Sequence, residues 1–235
     1  MPITVEIIAG HAATDIAKVF AYFKTVDKRY STYKASSEIS QINDGLPKSE
    51  WSQEMTAVIE LCEQTKQQTN GYFDIKHHGK LDPSGLVKGW AINNAANRLV
   101  DSGVQNFYIE AGGDIQVRGS NATNEAWAVG IRNPFNLEEI IKVVRLSSEG
   151  IATSGTYIRG QHIYNPRLPD QKLQSVESLT VIGPNIYEAD RFATAAFAMG
   201  SAGISFIEAT PGLEGYMVDD HKMATYTSGF ERYVA

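Results

Sequence analysis

The sequence predicts an α+β fold, with largely antiparallel sheets and packed helices, on three observations. Helical and strand-like segments come in mixed runs, not in strict βαβ alternation. Two strand-like runs, 107–110 and 115–118, flank a Gly112-Gly113 turn, as a hairpin requires. Helical stripes such as Met55, Val58, Ile59 and Cys62 supply apolar faces to cover a sheet. At 235 residues, without an internal repeat, linker or low-complexity tract, the chain is expected to form one domain over 1–235.

Taken in order, Ile3 to Ile8 alternates β-branched and polar residues and predicts a strand ended by Gly10. Ile16, Val19, Phe20 and Phe23 stripe a helix capped by Thr14 or Asp15. Residues 30–43 carry too many hydroxyls for a core; Ser36 or Ser37 can cap a short helix through Ile42. Residues 51–68 predict another helix, closed by Asn70-Gly71, and a short polar bridge follows Tyr72-Phe73-Asp74. The run 81–90 predicts a turn feeding a helix with Ile92, Ala95, Ala96, Leu99 and Val100 on one face. After the 107–118 hairpin, β-rich segments 127–131 and 140–146 are separated by an Asn-Pro-Phe-Asn turn. Residues 150–155 look like a small-residue loop, 178–182 like a strand, and 188–199 like a helix ended or bent by Gly200. The closing segments, 216–218 and 224–227, alternate like paired edge strands.

Composition excludes some classes. A net charge of −6, from 21 basic and 27 acidic residues, argues against a binder of phosphate backbones, and no nucleic-acid partner is expected. Cys62 is the single cysteine, so neither an intramolecular disulfide nor a thiolate metal cluster can form, and a small buried hydrophobe is expected. No apolar run is long enough to span a bilayer, and the start has no basic stretch leading into one. The expectation is a soluble, cytoplasmic chain without membrane insertion.

Chemistry concentrates at a few places. In the 82–89 run Asp82 and Lys88 flank Pro83 and Gly85, and a carboxylate, a backbone carbonyl and an ammonium at a helix entrance suit a phosphate-bearing ligand with a metal ion. Ordinary Asp-Pro-Ser-Gly turn chemistry is the bland alternative. The helix around 190–199 is apolar nearly all round, which makes Asp190 and Thr194, one turn apart, conspicuous. A hard divalent ion held by both, with a loop carbonyl, would offset the desolvation; a capping Asp190 with Thr194 bonded back into its helix is the alternative. His162, before the Asn165-Pro166 turn, is the nominated proton carrier. His77 and His78, adjacent and facing opposite ways in a strand, look like solvated loop residues. The glycine turns at 112–113 and 154–155 could cradle phosphate, although neither fits a nucleotide-binding fingerprint.

The order and wording of these segments resemble the ApbE family of FAD:protein FMN transferases along almost the whole chain. Residues 1–5 are similar to the family's opening strand, and Tyr30 to Tyr33 through Ser37-Glu38-Ile39-Ser40-Gln41-Ile42-Asn43 to its early serine-rich signature. Asp82-Pro83-Ser84-Gly85-Leu86-Val87-Lys88-Gly89 matches its central motif. Glu110-Ala111-Gly112-Gly113-Asp114, Ala152-Thr153-Ser154-Gly155, His162-Ile163-Tyr164-Asn165-Pro166-Arg167 and Ala189 to Ala195 supply the remaining signatures in sequence.

The resemblance implies transfer of FMN from FAD to a threonine or serine hydroxyl of an acceptor flavoprotein, with AMP leaving. It implies magnesium held by the Asp190 and Thr194 side chains and the Gly85 carbonyl. FAD is fixed by Asp82 and Lys88, with Met1 at the adenine end and Gly112, Gly113, Asp114, Thr153 and Ser154 lining the site. His162 is the implied general base. The alternative class is an FAD-binding module, or slow FAD pyrophosphatase, that modifies no protein. Two departures bear on the site: Pro2-Ile3 replaces the family's Gly-Thr, and the segment between Gly71-Tyr72-Phe73-Asp74 and Asp82 is cut short. In longer members that segment helps enclose the flavin. The family's frequent lipoprotein-type export signal is also missing, which suggests a short, leaderless variant.

Overall fold

The structure is a computed structural model that describes residues 1–8, 12–156, 163–168, 173 and 175–235. Its elements run β1 (Ile3–Ile7), α1 (Ala12–Tyr30), α2 (Glu38–Asn43), α3 (Gln53–Gln68), β2 (Lys76–His77), β3 (Lys80–Leu81) and α4 (Ser84–Asp101). There follow β4 (Phe107–Ala111), β5 (Asp114–Arg118), β6 (Trp127–Asn133), β7 (Asn136–Leu146), β8 (Gly150–Gly155) and β9 (Ser178–Gly183). The chain closes with α5 (Ile186–Ala198), α6 (Gly203–Glu208), β10 (Glu214–Val218) and β11 (Ala224–Tyr226).

Seven strands form one sheet in the order β1-β4-β5-β8-β9-β10-β11, every neighbouring pair antiparallel. Alternation along each strand divides the side chains between two cores. Phe107, Ile109 and Ala111 of β4, with Ala152 and Val181, pack beneath the helices. Ile115, Val117, Ile151 and Ile182 point the other way and are covered by Trp127, Val129, Ile131 and Val144 of the β6–β7 hairpin. The fold is therefore α+β in three layers, helices, sheet and hairpin. Among the described residues no helix is long and apolar enough to cross a membrane.

The helix starts follow from capping side chains. Ser37 Oγ accepts from Ser40 N at 3.2 Å, Ser52 Oγ from Met55 N at 3.1 Å, and Asn185 Oδ1 from Glu188 N at 3.0 Å. Glu38 in turn accepts from the Ser52 amide and hydroxyl, tying α2 to the start of α3.

Several sequence expectations are corrected. Thr14 and Asp15 lie inside α1, not at its cap, and its buried stripe is Val19, Phe23, Val26 and Tyr30, with Phe20 exposed. The hydroxyl-rich 30–43 segment does enter the core, since Tyr30, Ser37 and Ile39 are buried; Ser37 affords this because its hydroxyl donates to Ser31 O at 2.7 Å. The 84–89 motif is the first two turns of α4 itself, not a turn before it. Residues 150–155 are not a loop but β8, at the middle of the sheet, and β10 is interior, leaving β11 at the edge. Gly10 lies outside the described residues.

Candidate active site

α4 and α5 cross where Gly89 meets Asp190. A Cβ on Gly89 would stand 2.6 Å from Asp190 Cβ and 2.7 Å from the Ile186 carbonyl oxygen, so only glycine admits this approach. The closeness lets Gly89 N donate to Asp190 Oδ2 at 2.8 Å. One residue back, Lys88 Nζ lies 3.5 Å from Asp190 Oδ1 and 2.7 Å from Asp114 Oδ2, the latter at the start of β5. Two carboxylates, 1% and 3% exposed, thus share an ammonium under the sheet. Burial pushes the Asp190 carboxyl far above the ordinary range; Lys88 opposes the shift, while the like charge of Asp114 and a carboxyl–carboxyl hydrogen bond to it reinforce it.

The cluster floors a cleft of about 150 Å³ that brings together Asp82, Gly85, Lys88, Gly112, Thr153, Ser154, Asp190 and Thr194. Asp82 is exposed at its mouth, and Asp82 Oδ1 accepts from Ser84 N at 3.0 Å, opening α4. Asn43 of α2 fixes the approach to Asp82, donating to Leu81 O at 2.9 Å and accepting from Leu81 N at 2.7 Å. The early serine-rich signature thus acts as support for the cleft: Ser37 starts α2, and Asn43 at its end clamps the strand before Asp82.

Asp190 lies in the second turn of α5, which Asn185 caps, so the capping alternative for Asp190 fails. Thr194 Oγ1 points to Gly85 O, 3.4 Å away across the two helices. A carboxylate, a hydroxyl and a carbonyl are the oxygen donors a hard cation prefers, and the paired buried carboxylates against one lysine favour added positive charge. The donor set fits magnesium in chemistry. Among the described residues no three His, Cys, Asp or Glu side chains gather into a metal cluster, so any cation here leans on the hydroxyl and the carbonyl.

A second groove, of about 760 Å³, opens from the same cleft, sharing Ser84 and Lys88 with it. Met1 lines it, with Phe23, Tyr30 and Tyr33. Gly113 lines a third groove, on the hairpin side of the sheet. Of the site residues expected from the sequence, Asp82, Gly85, Lys88, Gly112, Thr153, Ser154, Asp190 and Thr194 line the cleft, Asp114 pairs with Lys88 beside it, Met1 and Gly113 line the adjoining grooves, and His162 lies outside the described residues.

The ApbE family model matches residues 1–78 and 76–217. The chain belongs to the ApbE family. It is 28% identical over 167 residues to the FAD:protein FMN transferase of Vibrio cholerae, a match covering 66% of this chain and 50% of that one. To the Escherichia coli K12 FAD:protein FMN transferase it is 28% identical over 147 residues, covering 59% and 42%. The matched stretch is thus about half the length of these curated relatives. Among solved structures, the flavin transferase ApbE of Vibrio cholerae superposes with a TM-score of 0.85 at 21% identity, covering 98% of this chain and 95% of that one. The Thermotoga maritima ApbE protein gives 0.86 at 22% identity, covering 99% and 95%. The fold of this ApbE chain is that of those structures.

Sequence reasoning missed an aromatic wall. The shortened bridge folds as the β2–β3 hairpin, turning through His78 and Gly79 at φ 48° and 78°. His77 is not a solvated loop residue: its ring stacks on Tyr164 at 3.9 Å and 15°, and both line the cleft with Tyr72. Tyr164 Oη donates to Asp74 O at 2.8 Å, so the segment after His162 is fastened to the hairpin. Nothing in the spacing of residues 77 and 164 signals that pairing. The one available signal was Tyr164's place inside a family motif.

Proposed function

We propose that this chain is a FAD:protein FMN transferase, moving FMN from FAD to a threonine or serine hydroxyl of an acceptor flavoprotein. The observation that carries the reading is the Lys88–Asp114–Asp190 cluster beside Thr194 and the Gly85 carbonyl, at the junction of two clefts with aromatic walls. In the reaction the acceptor oxygen bonds to the phosphorus of the FMN half. The bond from that phosphorus to the bridging oxygen breaks, AMP leaves with the electron pair, and the hydroxyl proton passes to a base.

Lys88 supplies positive charge to the diphosphate, and Asp114 holds its ammonium in place. Asp82 at the mouth and Met1 in the second groove are assigned to FAD. Gly112, Gly113, Thr153 and Ser154 are assigned to the walls, where bare backbone and hydroxyls can approach phosphate oxygens. Asp190, Thr194 and the Gly85 carbonyl would hold magnesium, which when bound neutralises charge developing on the phosphates. His162 is assigned as the base on its motif.

Mass spectrometry of a candidate flavoprotein incubated with this chain, FAD and magnesium tests the reading. An added FMN mass on a serine or threonine, lost on chelation, is the expected result. Release of free FMN and AMP without a labelled protein would instead make the chain a pyrophosphatase.

A further inference from the structure

We propose that the groove between the sheet and the β6–β7 hairpin is where the acceptor's hydroxyl-bearing segment docks, in extended form. The inference rests on the transferase reading. The groove measures about 240 Å³, with Glu110 and Thr153 on its sheet side and Ala128, Gly130 and Ile140 on its hairpin side.

Continuity with the cleft is the first argument. Gly112 and Thr153 line both spaces, so a chain lying in the groove can reach the place where Lys88 and Asp190 face the cleft. The stereochemistry of the reaction is the second. Displacement at phosphorus runs in line, so the acceptor oxygen enters opposite the departing AMP. The cleft and the 760 Å³ groove, joined at Ser84 and Lys88, supply two aromatic walls on the helix side, enough for both ends of a dinucleotide. The third space opens on the hairpin face of the sheet, away from both aromatic walls, and so is left to the incoming oxygen.

The surface chemistry suits an extended peptide. A Cβ on Gly113 would meet nothing within 4 Å, so the turn leaves its backbone open to a partner. Among the described residues β6 has β7 as its one ladder partner, and its other edge can pair with an added strand. Ile140, 47% exposed, lies over Gly130, where a Cβ would come 2.8 Å from Ile140 Cδ1, and Val143 beside it is 39% exposed. Exposed Ile and Val against bare glycine backbone make an apolar shelf at the groove, which fits an apolar flank beside the reacting threonine or serine.

Two variants on this shelf, Ala128→Trp to fill the groove and Ile140→Asp to make it polar, test the assignment. Both positions are exposed, and neither side chain faces the helix-side clefts. The probe is a flavoprotein that the parental chain labels with FMN, with FAD affinity followed by calorimetry. The expected result is a KM for that flavoprotein raised about ten-fold or more, the size of one lost anchor contact, with the Kd for FAD unchanged. Unchanged KM in both variants would overturn the docking surface and leave the transferase reading standing. If the parental chain labels no flavoprotein and only cleaves FAD, the transferase reading fails and the surface falls with it.

Discussion

Burying Asp190 to 3% exposure has a desolvation cost that the Gly89 amide and Lys88 offset only in part, because Asp114 adds charge of the same sign. A side chain held so is more useful to a ligand than to the fold. Asp190→Asn preserves the shape and an acceptor for Gly89 while removing the charge. We expect magnesium-dependent turnover of FAD to fall about a hundred-fold or more, with the thermal midpoint lowered by no more than a few degrees. Parental turnover in that variant would remove the metal-ligand assignment. Asp190→Ala also deprives the Gly89 amide of its partner and should be the less stable of the two. Cys62 illustrates the opposite case, a titratable group with a packing role: burial holds its thiol up at about 12. Since the folded state disfavours the thiolate, its contribution to stability is complete below the unfolded thiol's value near 9 and is lost as pH rises towards 12. Native protein at pH 8 should therefore react with a thiol reagent only as it unfolds; prompt modification of one thiol per chain would contradict the burial. Both residues were legible in the sequence, as an isolated carboxylate in an apolar helix and a cysteine on an apolar stripe. The partners of Asp190 were not, because Gly89 lies 101 residues away in the chain.

At the level of elements, the α4–α5 crossing sets the site, and its tolerance is a single missing methyl. Gly89→Ala places a Cβ against Asp190 Cβ and the Ile186 carbonyl, and a buried backbone neighbour cannot rotate away. Overpacking of this kind costs about 1–3 kcal/mol, and parting the helices also shifts Lys88 relative to Asp190. The variant should lose stability and FAD turnover together; denaturant unfolding matching the parental midpoint would mean the contact is looser than it stands. Similar packing explains why β8 reads as a loop from sequence. Its small residues Gly150, Ala152 and Ser154 face α5, which rides directly on the strand: a Cβ on Gly150 would lie 2.0 Å from Ile186 N. Small residues chosen for close approach and small residues chosen for a turn look alike in one sequence. The hairpin at 107–118 was legible because its glycines do mark a turn, with φ of 61° and 94° at Gly112 and Gly113.

Across the whole molecule, the order of motifs was readable while their spatial roles were not. The early serine-rich segment proves to clamp Leu81 and to line the second groove, and the shortened bridge becomes a hairpin that lends His77 to the cleft wall. What these distant pieces build is a junction of two clefts. Its two arms meet at Ser84 and Lys88, one walled by Tyr72, His77 and Tyr164, the other by Phe23, Tyr30 and Tyr33. If FAD lies across the junction, each ring system gains its own stacking surface, while Lys88 serves the diphosphate common to both halves. Ring stacking of this sort contributes about 1–3 kcal/mol per ring, which corresponds to roughly ten- to a hundred-fold in affinity. FAD should then bind at least about ten-fold more tightly than AMP or FMN, and Tyr33→Ala, at the exposed ring of that arm, should weaken FAD together with one of the two mononucleotides but not the other. Calorimetric titration of the three ligands against the parental chain and that variant decides the matter. Equal affinity for AMP and FAD would mean the flavin ring finds no wall here, and the two-armed site would have to be abandoned in favour of a generic nucleotide pocket.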